Sequence, residues 1–131
     1  MGDFSDILMD HFSSPRNTGP MTSPDVVGQA GTLGHGPFMV LYLRIQQDRV
    51  VDAKFRTYGC GVTIACGSLL TEIIIQLSVR ECLDLTAEHL TEAIGGVPPD
   101  KLHSPVLAIA ALRHALNQYH QKDAPLPASL A

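Results

Sequence analysis

The stretch of sequence that decides the fold is residues 50–77, VVDAKFRTYGCGVTIACGSLLTEIIIQL. Towards Tyr58, apolar and polar side chains alternate, as they do in a strand that has one face in water. The triplet Gly59-Cys60-Gly61 breaks this strand, and the apolar run that follows is too long for a second strand and suits a buried helix. The sequence therefore predicts a strand, a glycine-flanked cysteine and a buried helix in direct succession.

The segments on either side complete an α+β pattern. A helix is predicted over 4–12, two strands over 40–45 and 50–58 with a polar turn over 46–49, and helices that open at Ser78, Thr86 and Ser104. Ser104 precedes Pro105, so it is predicted as the N-cap of a final helix that runs to about Tyr119. This order predicts a small antiparallel sheet covered by helices on one face, in a single domain over 1–121 followed by a flexible tail over 122–131.

Composition and charge exclude several classes of protein. The chain has 131 residues, 45% of them hydrophobic, and 9 Lys+Arg against 13 Asp+Glu give a net charge of −4. A chain of this length buries enough surface to fold without disulfides or a structural metal. The acidic balance argues against nucleic acid, and Glu72 and Gln76 inside the most apolar stretch argue against a membrane span. The odd cysteine count and the N-terminus, which lacks a signal-peptide pattern, predict a reducing, cytoplasmic location.

Three residues at junctions next to predicted helices and strands could bind a metal ion or react. Cys60 lies between two glycines where a helix begins, and a helix N-terminus lowers the pKa of a thiol. His35 is also flanked by glycines, just before a strand, and His103 directly precedes the final helix. Ligands from separate loops must occupy such positions if they are to converge on a metal ion. Cys60, His35 and His103 are therefore the candidate ligands.

The other two cysteines have a simpler interpretation. Cys66 follows Cys60 by six residues and lies within the predicted buried helix, which favours a small core thiol over a ligand. Cys82 lies on the apolar side of its segment and is predicted to be core. The sequence contains neither a CxxC nor an HxxxH pair, so a zinc-finger interpretation has no support.

From about Phe4 to Tyr119, these segments taken in order resemble the IscU/NifU family of iron–sulfur cluster assembly scaffolds. Residues 10–17, DHFSSPRN, are similar to the family's DHxxxPRN signature, residues 50–61 to VxDAxFxTFGCG, and residues 97–103, VPPDKLH, to LPPVKxH. The resemblance implies a three-stranded sheet and a carrier, not an enzyme. Such scaffolds receive sulfur from a cysteine desulfurase, assemble a [2Fe–2S] cluster on three cysteines and a fourth Asp or His ligand, and pass it to apo-acceptor proteins.

This chain departs from the family's ligand set. His35 stands at the first cysteine position, Pro37 at the aspartate position and Ser104 at the third cysteine position. Only Cys60 and His103 are retained. A serine hydroxyl is a poor ligand for a soft metal and proline offers no side-chain donor, so the complete family site is absent.

Two ligand sets remain open. In the first, Cys60, His35 and His103 bind one Zn²⁺ or Fe²⁺, with water or Cys66 as the fourth ligand. In the second, Cys60 and Cys66 bind one iron of a cluster and the two histidines bind the other, which is a Rieske-like set. The second requires the helix to unwind near Thr63, because Cys66 otherwise lies about 6 Å along the helix axis.

Two functions follow from these alternatives. The first is a scaffold-like carrier of a cluster or of a single metal ion. The second is a degenerate scaffold that binds partners, such as a desulfurase or an Hsp70-type chaperone, with at most structural zinc. Val97 and Asp100 depart from the family's chaperone-recognition segment. A thiol enzyme that uses Cys60 with His103 as the base is the least supported, because no oxyanion-hole motif accompanies the pair.

The final helix carries a further prediction. Residues 108–112, AIAAL, make it apolar around nearly its whole circumference where the family carries an acidic pair. Such a helix is expected to be buried on more than one side, most simply in a homodimer. A monomeric mass in light scattering across micromolar concentrations would contradict this prediction.

Overall fold

The computed structural model describes residues 4–32 and 34–123. Three strands form one antiparallel sheet in the order β1-β2-β3, and five α-helices and one short 3₁₀ turn at Pro99–Lys101 surround it. The strands are β1 (Val26–Gly31), β2 (Phe38–Gln46) and β3 (Arg49–Tyr58), and the helices are α1 (Asp6–Ser13), α2 (Gly61–Ile74), α3 (Val79–Leu83), α4 (Ala87–Ala93) and α5 (His103–Asp123). The predicted α+β fold with a three-stranded sheet is confirmed. Helix α5 continues past Tyr119, and residues 124–131 of the predicted tail lie outside the described residues.

Strands β2 and β3 are joined by a tighter turn than the sequence predicted. Pairing continues to Gln46 and Arg49, so only Gln47 and Asp48 form the turn. Both have positive φ values, 52° and 61°. A two-residue turn of this kind matches the right-handed twist of the flanking strands.

The core lies on one face of the sheet. In β2, buried Met39, Leu41 and Leu43 alternate with partly exposed neighbours, as a strand with one wet face requires. Helices α2 and α5 both pack against the sheet. Gly67 of α2 sits so close to the Phe55 ring that a Cβ there would lie 2.5 Å from it. This contact sets how closely α2, and therefore Cys60 at its start, approaches β3.

Strand β1 packs directly on the backbone of α5. A Cβ built on Gly28 would lie 2.3 Å from the carbonyl oxygen of Ala111 and 2.4 Å from the amide nitrogen of Ala115. On its other sides α5 contacts α2, α3 and α4. Much of its apolar surface, including Ala108, Ala111 and Leu112, is thus buried inside one domain, whereas Val106 and Ala110 stay exposed. The homodimer stays a prediction for light scattering.

Helix α1 buries less of its surface than its sequence pattern predicted. Ser5 is its N-cap and accepts a hydrogen bond from the Leu8 N–H at 2.9 Å. Leu8 and His11 are buried, but Phe4, Ile7 and Phe12 are between 41% and 46% exposed. The helix predicted over 4–12 is therefore present from Asp6, but three of its apolar side chains are exposed while the polar His11 is buried. Among the described elements, α1 packs chiefly against α2, which leaves its outer side in water.

The helices between α2 and α5 begin where the sequence predicted. Ser78 accepts a hydrogen bond from the Glu81 N–H at 3.0 Å, and the Glu81 carboxylate accepts from the Ser78 N–H at 2.9 Å. Thr86 caps α4 in the same way, with His89 as its partner. Within the described residues, no helix is both long enough and apolar enough to cross a membrane.

Candidate functional site

Cys60 lies directly before the first residue of α2, at the predicted junction. Its extended backbone, with φ −81° and ψ 176°, makes it the N-cap of that helix. The side chain is partly buried, and its Sγ lies 3.7 Å from the Thr63 Oγ1. The thiol therefore faces the open N-terminal end of α2, where backbone N–H groups have no partner within the helix.

The surroundings of Cys60 favour its thiolate form. Burial alone would raise the pKa of the Cys60 thiol. Interactions with the N–H and hydroxyl of Thr63, with the N–H of Val62 and with the Lys101 ammonium outweigh burial, and the pKa lies below its ordinary value. A thiolate is the form of cysteine that binds metals and acts as a nucleophile.

Ser104 plays a different role from the one predicted. Helix α5 begins at His103, so Ser104 lies inside its first turn and the predicted N-cap is wrong. The residue is fully buried, and its hydroxyl lies 2.9 Å from the Thr63 hydroxyl. Pro105 still lies in the first turn, where its missing N–H costs no helical hydrogen bond. Ser104 thus links the start of α5 to the start of α2 through the Thr63 hydroxyl, which also lies beside the Cys60 Sγ.

The two histidines lie at the same end of the molecule as Cys60. Gly31 pairs with Phe38 and Phe38 pairs with Tyr58, so the loop that carries His35 adjoins the end of β3 that leads into Cys60. His103 adjoins Ser104 and so lies near the first turn of α2. Both imidazoles are exposed. Three separate segments therefore bring the predicted donors to one end of the sheet.

The structure does not gather these donors into a coordination sphere. Among residues 4–32 and 34–123, no group of three or more His, Cys, Asp or Glu side chains lies close enough to hold a metal ion. Cys66 is fully buried in the hydrophobic core. Burial, and secondarily the charge of Cys60, raises the pKa of the Cys66 thiol to about 12. Helix α2 is continuous from Gly61 to Ile74, so the unwinding near Thr63 that ligation by Cys66 requires is not seen.

An apolar cavity of about 210 Å³ adjoins Cys60, between α1 and the start of α2. Phe12 forms one wall and packs on Gly61, where a Cβ would lie 2.5 Å from its ring. Lys101 is the only charged residue in the lining, whose other members are Phe4, Leu8, Met9, Gly61 and Val62. The thiol thus borders a largely apolar space that has one amine at its edge.

The DHxxxPRN-like segment forms a polar clamp between α1 and α2. The His11 Nδ1 lies 2.7 Å from the buried Ser68 hydroxyl, and the same hydroxyl accepts a hydrogen bond from the Arg16 N–H at 2.9 Å. The Asn17 amide donates to the Thr71 hydroxyl at 3.1 Å. These contacts hold α1 and the loop after it against the middle of α2, and α1 in turn lines the cavity beside Cys60.

Charged groups complete this clamp. The Arg16 guanidinium lies 2.7 Å from the Asp10 carboxylate and 3.8 Å from that of Glu72, which also lies 3.5 Å from the His11 Nε2. Sequence reasoning missed Ser68 and Thr63 as partners. The available signal was their polarity within the apolar run over 62–77, because a buried hydroxyl needs a hydrogen-bond partner.

We expect the clamp to weaken below neutral pH. Burial, followed by the nearby Arg16 charge, lowers the pKa of His11 below 6.5, although Glu72 and Asp10 oppose the shift. The unfolded chain therefore binds a proton before the folded protein does, and stability falls as pH drops below about 6.5. For one proton, the free energy of unfolding cannot change by more than about 1.4 kcal/mol per pH unit. Urea denaturation between pH 7.5 and 5 measures it.

In this measurement, His11→Asn is expected to flatten the profile over that interval, because the asparagine side chain does not titrate. His120→Gln serves as the control, because His120 is exposed. A His11→Asn profile as steep as that of the wild type would contradict the assignment.

Replacing Thr63 with valine is expected to raise the pKa of Cys60, because the hydroxyl beside Sγ is lost. At pH 7 we expect alkylation by iodoacetamide to slow roughly two- to tenfold, the effect of one hydrogen bond. Cys66 and Cys82 do not interfere, since burial raises the pKa of their thiols to about 12 and about 11. Thr63→Ser should restore the rate. An unchanged rate in Thr63→Val would show that the hydroxyl does not act on the thiol.

Comparisons with known proteins agree with this architecture. The family model for the NifU-like N-terminal domain matches residues 3–125. The iron–sulfur cluster assembly scaffold protein IscU 1 of Archaeoglobus fulgidus is 38% identical over 120 residues, which cover 92% of this chain and 78% of that protein. The IscU scaffold protein of Aquifex aeolicus is 34% identical over 123 residues, with the same two coverages of 92% and 78%.

The fold has close counterparts among solved structures. The crystal structure of a proposed iron–sulfur cluster assembly scaffold protein for the SUF system, from Fervidobacterium islandicum AW-1, superposes with a TM-score of 0.71. The alignment covers 86% of this chain and 96% of that one, at 22% identity. At this identity the likeness shows the fold alone.

Proposed function

Because the chain belongs to the family of NifU-like N-terminal domains, we propose that it is a scaffold-like carrier in iron–sulfur cluster assembly and not an enzyme. Its cargo is an iron ion or a [2Fe–2S] cluster, and its ligands are Cys60, His35 and His103. The observation that carries the proposal is the partly buried Cys60 thiol, whose pKa lies below its ordinary value, at the end of the sheet that also presents both histidines.

The chemistry of the donor set supports this cargo. A thiolate and two imidazoles suit both zinc and iron. The exposed imidazoles belong to a loop and to a helix start, so they can approach Cys60 without disturbing the core. Binding of the metal then brings the donors together, because a preformed site is not required when metal binding and local ordering are coupled.

The fourth ligand decides between a single ion and a cluster. Cys66 would complete a set of two cysteines and two histidines for a Rieske-like cluster. Its full burial and the unbroken α2 favour a water molecule in its place, and therefore a single ion in the resting protein. Zinc is the alternative occupant of such a three-residue site.

The proposed partners follow from the carrier role. A cysteine desulfurase supplies the sulfur, apo-acceptor proteins receive the cluster, and an Hsp70-type chaperone assists release. Exposed Phe4, which precedes α1, and Met9 and Phe12 of α1 offer an apolar surface next to Cys60 for such contacts. A reducing cytoplasm would keep all three thiols free for this role.

Anaerobic reconstitution with iron and sulfide tests the proposal. We expect visible charge-transfer absorption and bound iron in the wild type, both lost in Cys60→Ala. Cys82→Ala is the matched control, because Cys82 is buried in α3, and it should retain both signals. Cys66→Ala separates the ligand sets, since equal absorption excludes Cys66. Wild-type protein that binds no iron and shows no absorption would overturn the proposal.

One observation favours a second function. The third cysteine position holds a buried serine whose hydroxyl is bonded to Thr63, and the described residues contain no preformed three-donor site. A degenerate scaffold that acts by binding a desulfurase or a chaperone accounts for both facts. In the same experiment this alternative predicts colourless protein with at most one zinc per chain. It also predicts that Cys60→Ala still binds the desulfurase in a pull-down.

A further inference from the structure

A continuous groove runs between α4 and the first half of α5. It consists of two adjoining cavities of about 450 and 410 Å³ that share Ala87, Glu88 and Val106. Helix α4 forms one wall, and α5 with the residue before it forms the other. The groove lies next to the candidate site at one end, because Leu102 stands between Lys101 and His103.

The α5 side of the groove is apolar and open to water. Leu102 is 50% exposed and Val106 is 56% exposed, and both rank among the most exposed large hydrophobic residues described. Ala110, one turn further along, is also exposed. Successive members are four positions apart, so this strip extends about 12 Å along the helix. An apolar strip of this kind, rimmed by polar side chains, is typical of a protein interaction site.

The α4 side of the groove is negatively charged. Glu88 and Glu92 lie one turn apart, about 6 Å along the axis, and both are exposed. In the part of the chain that the structure describes, neither carboxylate has an ion pair or a hydrogen bond. Arg113 at the far end of the groove donates to the Leu85 carbonyl at 2.9 Å. The wall therefore presents two uncompensated negative charges beside an apolar strip.

We propose that this groove binds a cationic amphipathic helix of a partner protein. Apolar side chains one turn apart on the partner helix pack against Leu102 and Val106, and two Lys or Arg residues one turn apart pair with Glu88 and Glu92. A groove between two helices receives a third helix through residues spaced in this way. The positive charges of the partner match both the wall and the net charge of −4 of the whole chain.

A second copy of this chain fits the groove less well. Among the described residues, the segment that begins with Phe4 and continues into α1 exposes further apolar side chains, such as Ile7. Asp10 of α1 is paired with Arg16, but Asp6 would add a like charge beside Glu88 and Glu92. Like charges in an interface oppose association. The proposal concerns a surface separate from the Cys60 thiol, and it holds whether or not metal is bound there.

Fluorescence anisotropy with a designed probe tests the proposal. The probe is a labelled helix of Leu, Lys and Ala with leucines and lysines each one turn apart, and its counterpart carries Glu in place of Lys. We expect the Lys probe to bind and the Glu counterpart not to bind. The Glu88→Gln/Glu92→Gln protein should bind the Lys probe roughly tenfold more weakly, and Val106→Ser should weaken it as well.

The control variant has the same change in net charge. Asp6→Asn/Asp84→Asn removes two exposed carboxylates outside the groove and should leave binding within about twofold of the wild type. Equal weakening by both double variants would overturn the proposal, because it would indicate unspecific attraction. Amide shifts in NMR that map outside α4 and residues 102–113 would also overturn it. So would a wild-type dimer that Val106→Ser dissociates, because a second copy would then occupy the groove.

Discussion

Gly28→Ala is expected to destabilise the protein by more than about 3 kcal/mol, at or above the upper end of the usual cost of overpacking a core. A Cβ on Gly28 would lie 2.3 Å and 2.4 Å from backbone atoms of Ala111 and Ala115. Backbone atoms in the middle of a long helix cannot rotate away as a side chain does. Strand β1 and α5 must separate instead, and the core between them would then loosen.

Urea denaturation followed by circular dichroism measures this effect. The matched control is Gly34→Ala, the same chemical change at a position where a Cβ meets nothing within 4 Å. Gly34 has φ +85°, so its substitution should cost only about 1–2 kcal/mol from the left-handed backbone. Equal losses in the two variants would contradict the close packing of β1 on α5.

Restoring the family's ligand set is expected to produce the largest change in cluster binding. The variant His35→Cys/Pro37→Asp/Ser104→Cys supplies two further thiol donors and a carboxylate around Cys60. Soft thiolates bind iron–sulfur clusters far better than hydroxyl groups do. After anaerobic reconstitution, we expect the cluster of this variant to persist at least roughly tenfold longer than that of the wild type, since even outer-sphere changes alter metal affinity on this scale.

The decay of visible absorption under air measures this lifetime. The triple variant with Cys60→Ala added should lose this longer cluster lifetime, because one thiolate of the set is removed. Ser104→Cys also breaks the bond between Ser104 and Thr63, so circular dichroism must first confirm that the variant folds. A folded triple variant with wild-type lifetime would show that the three segments cannot converge on a cluster.

Local sequence signals predicted the elements that local physics determines. The alternation in β3, the glycine break at Cys60 and the caps at Ser78 and Thr86 all depend on neighbouring residues, and each lies where it was predicted. His35, Cys60 and His103 lie at one end of the sheet. That they form a coordination site stays a prediction. It depends on loop positions that no spacing along the chain specifies.

The errors came from tertiary contacts. Ser104 followed by proline is a good local cap, but the buried Thr63 hydroxyl competes for the Ser104 side chain, and α5 begins two residues earlier, at His103. His11 follows Asp10 in a polar pair that is typical of a helix surface, yet Ser68 of α2 provides a buried partner that the local sequence cannot reveal. In both cases, a polar side chain from a distant segment overrode the local preference.

The Ser68 hydroxyl is shared by two segments, the His11 side chain of α1 and the Arg16 N–H of the loop after it. If either segment detaches, the Ser68 hydroxyl keeps only one of these two hydrogen-bond partners. The loop is in turn tied to the sheet, because the Asn17 carbonyl accepts a hydrogen bond from the Phe55 N–H and the Gly19 N–H donates to the Phe55 carbonyl, both at 2.9 Å. One hydroxyl on α2 therefore couples helix α1, which lines the cavity beside Cys60, to a loop that is anchored on β3.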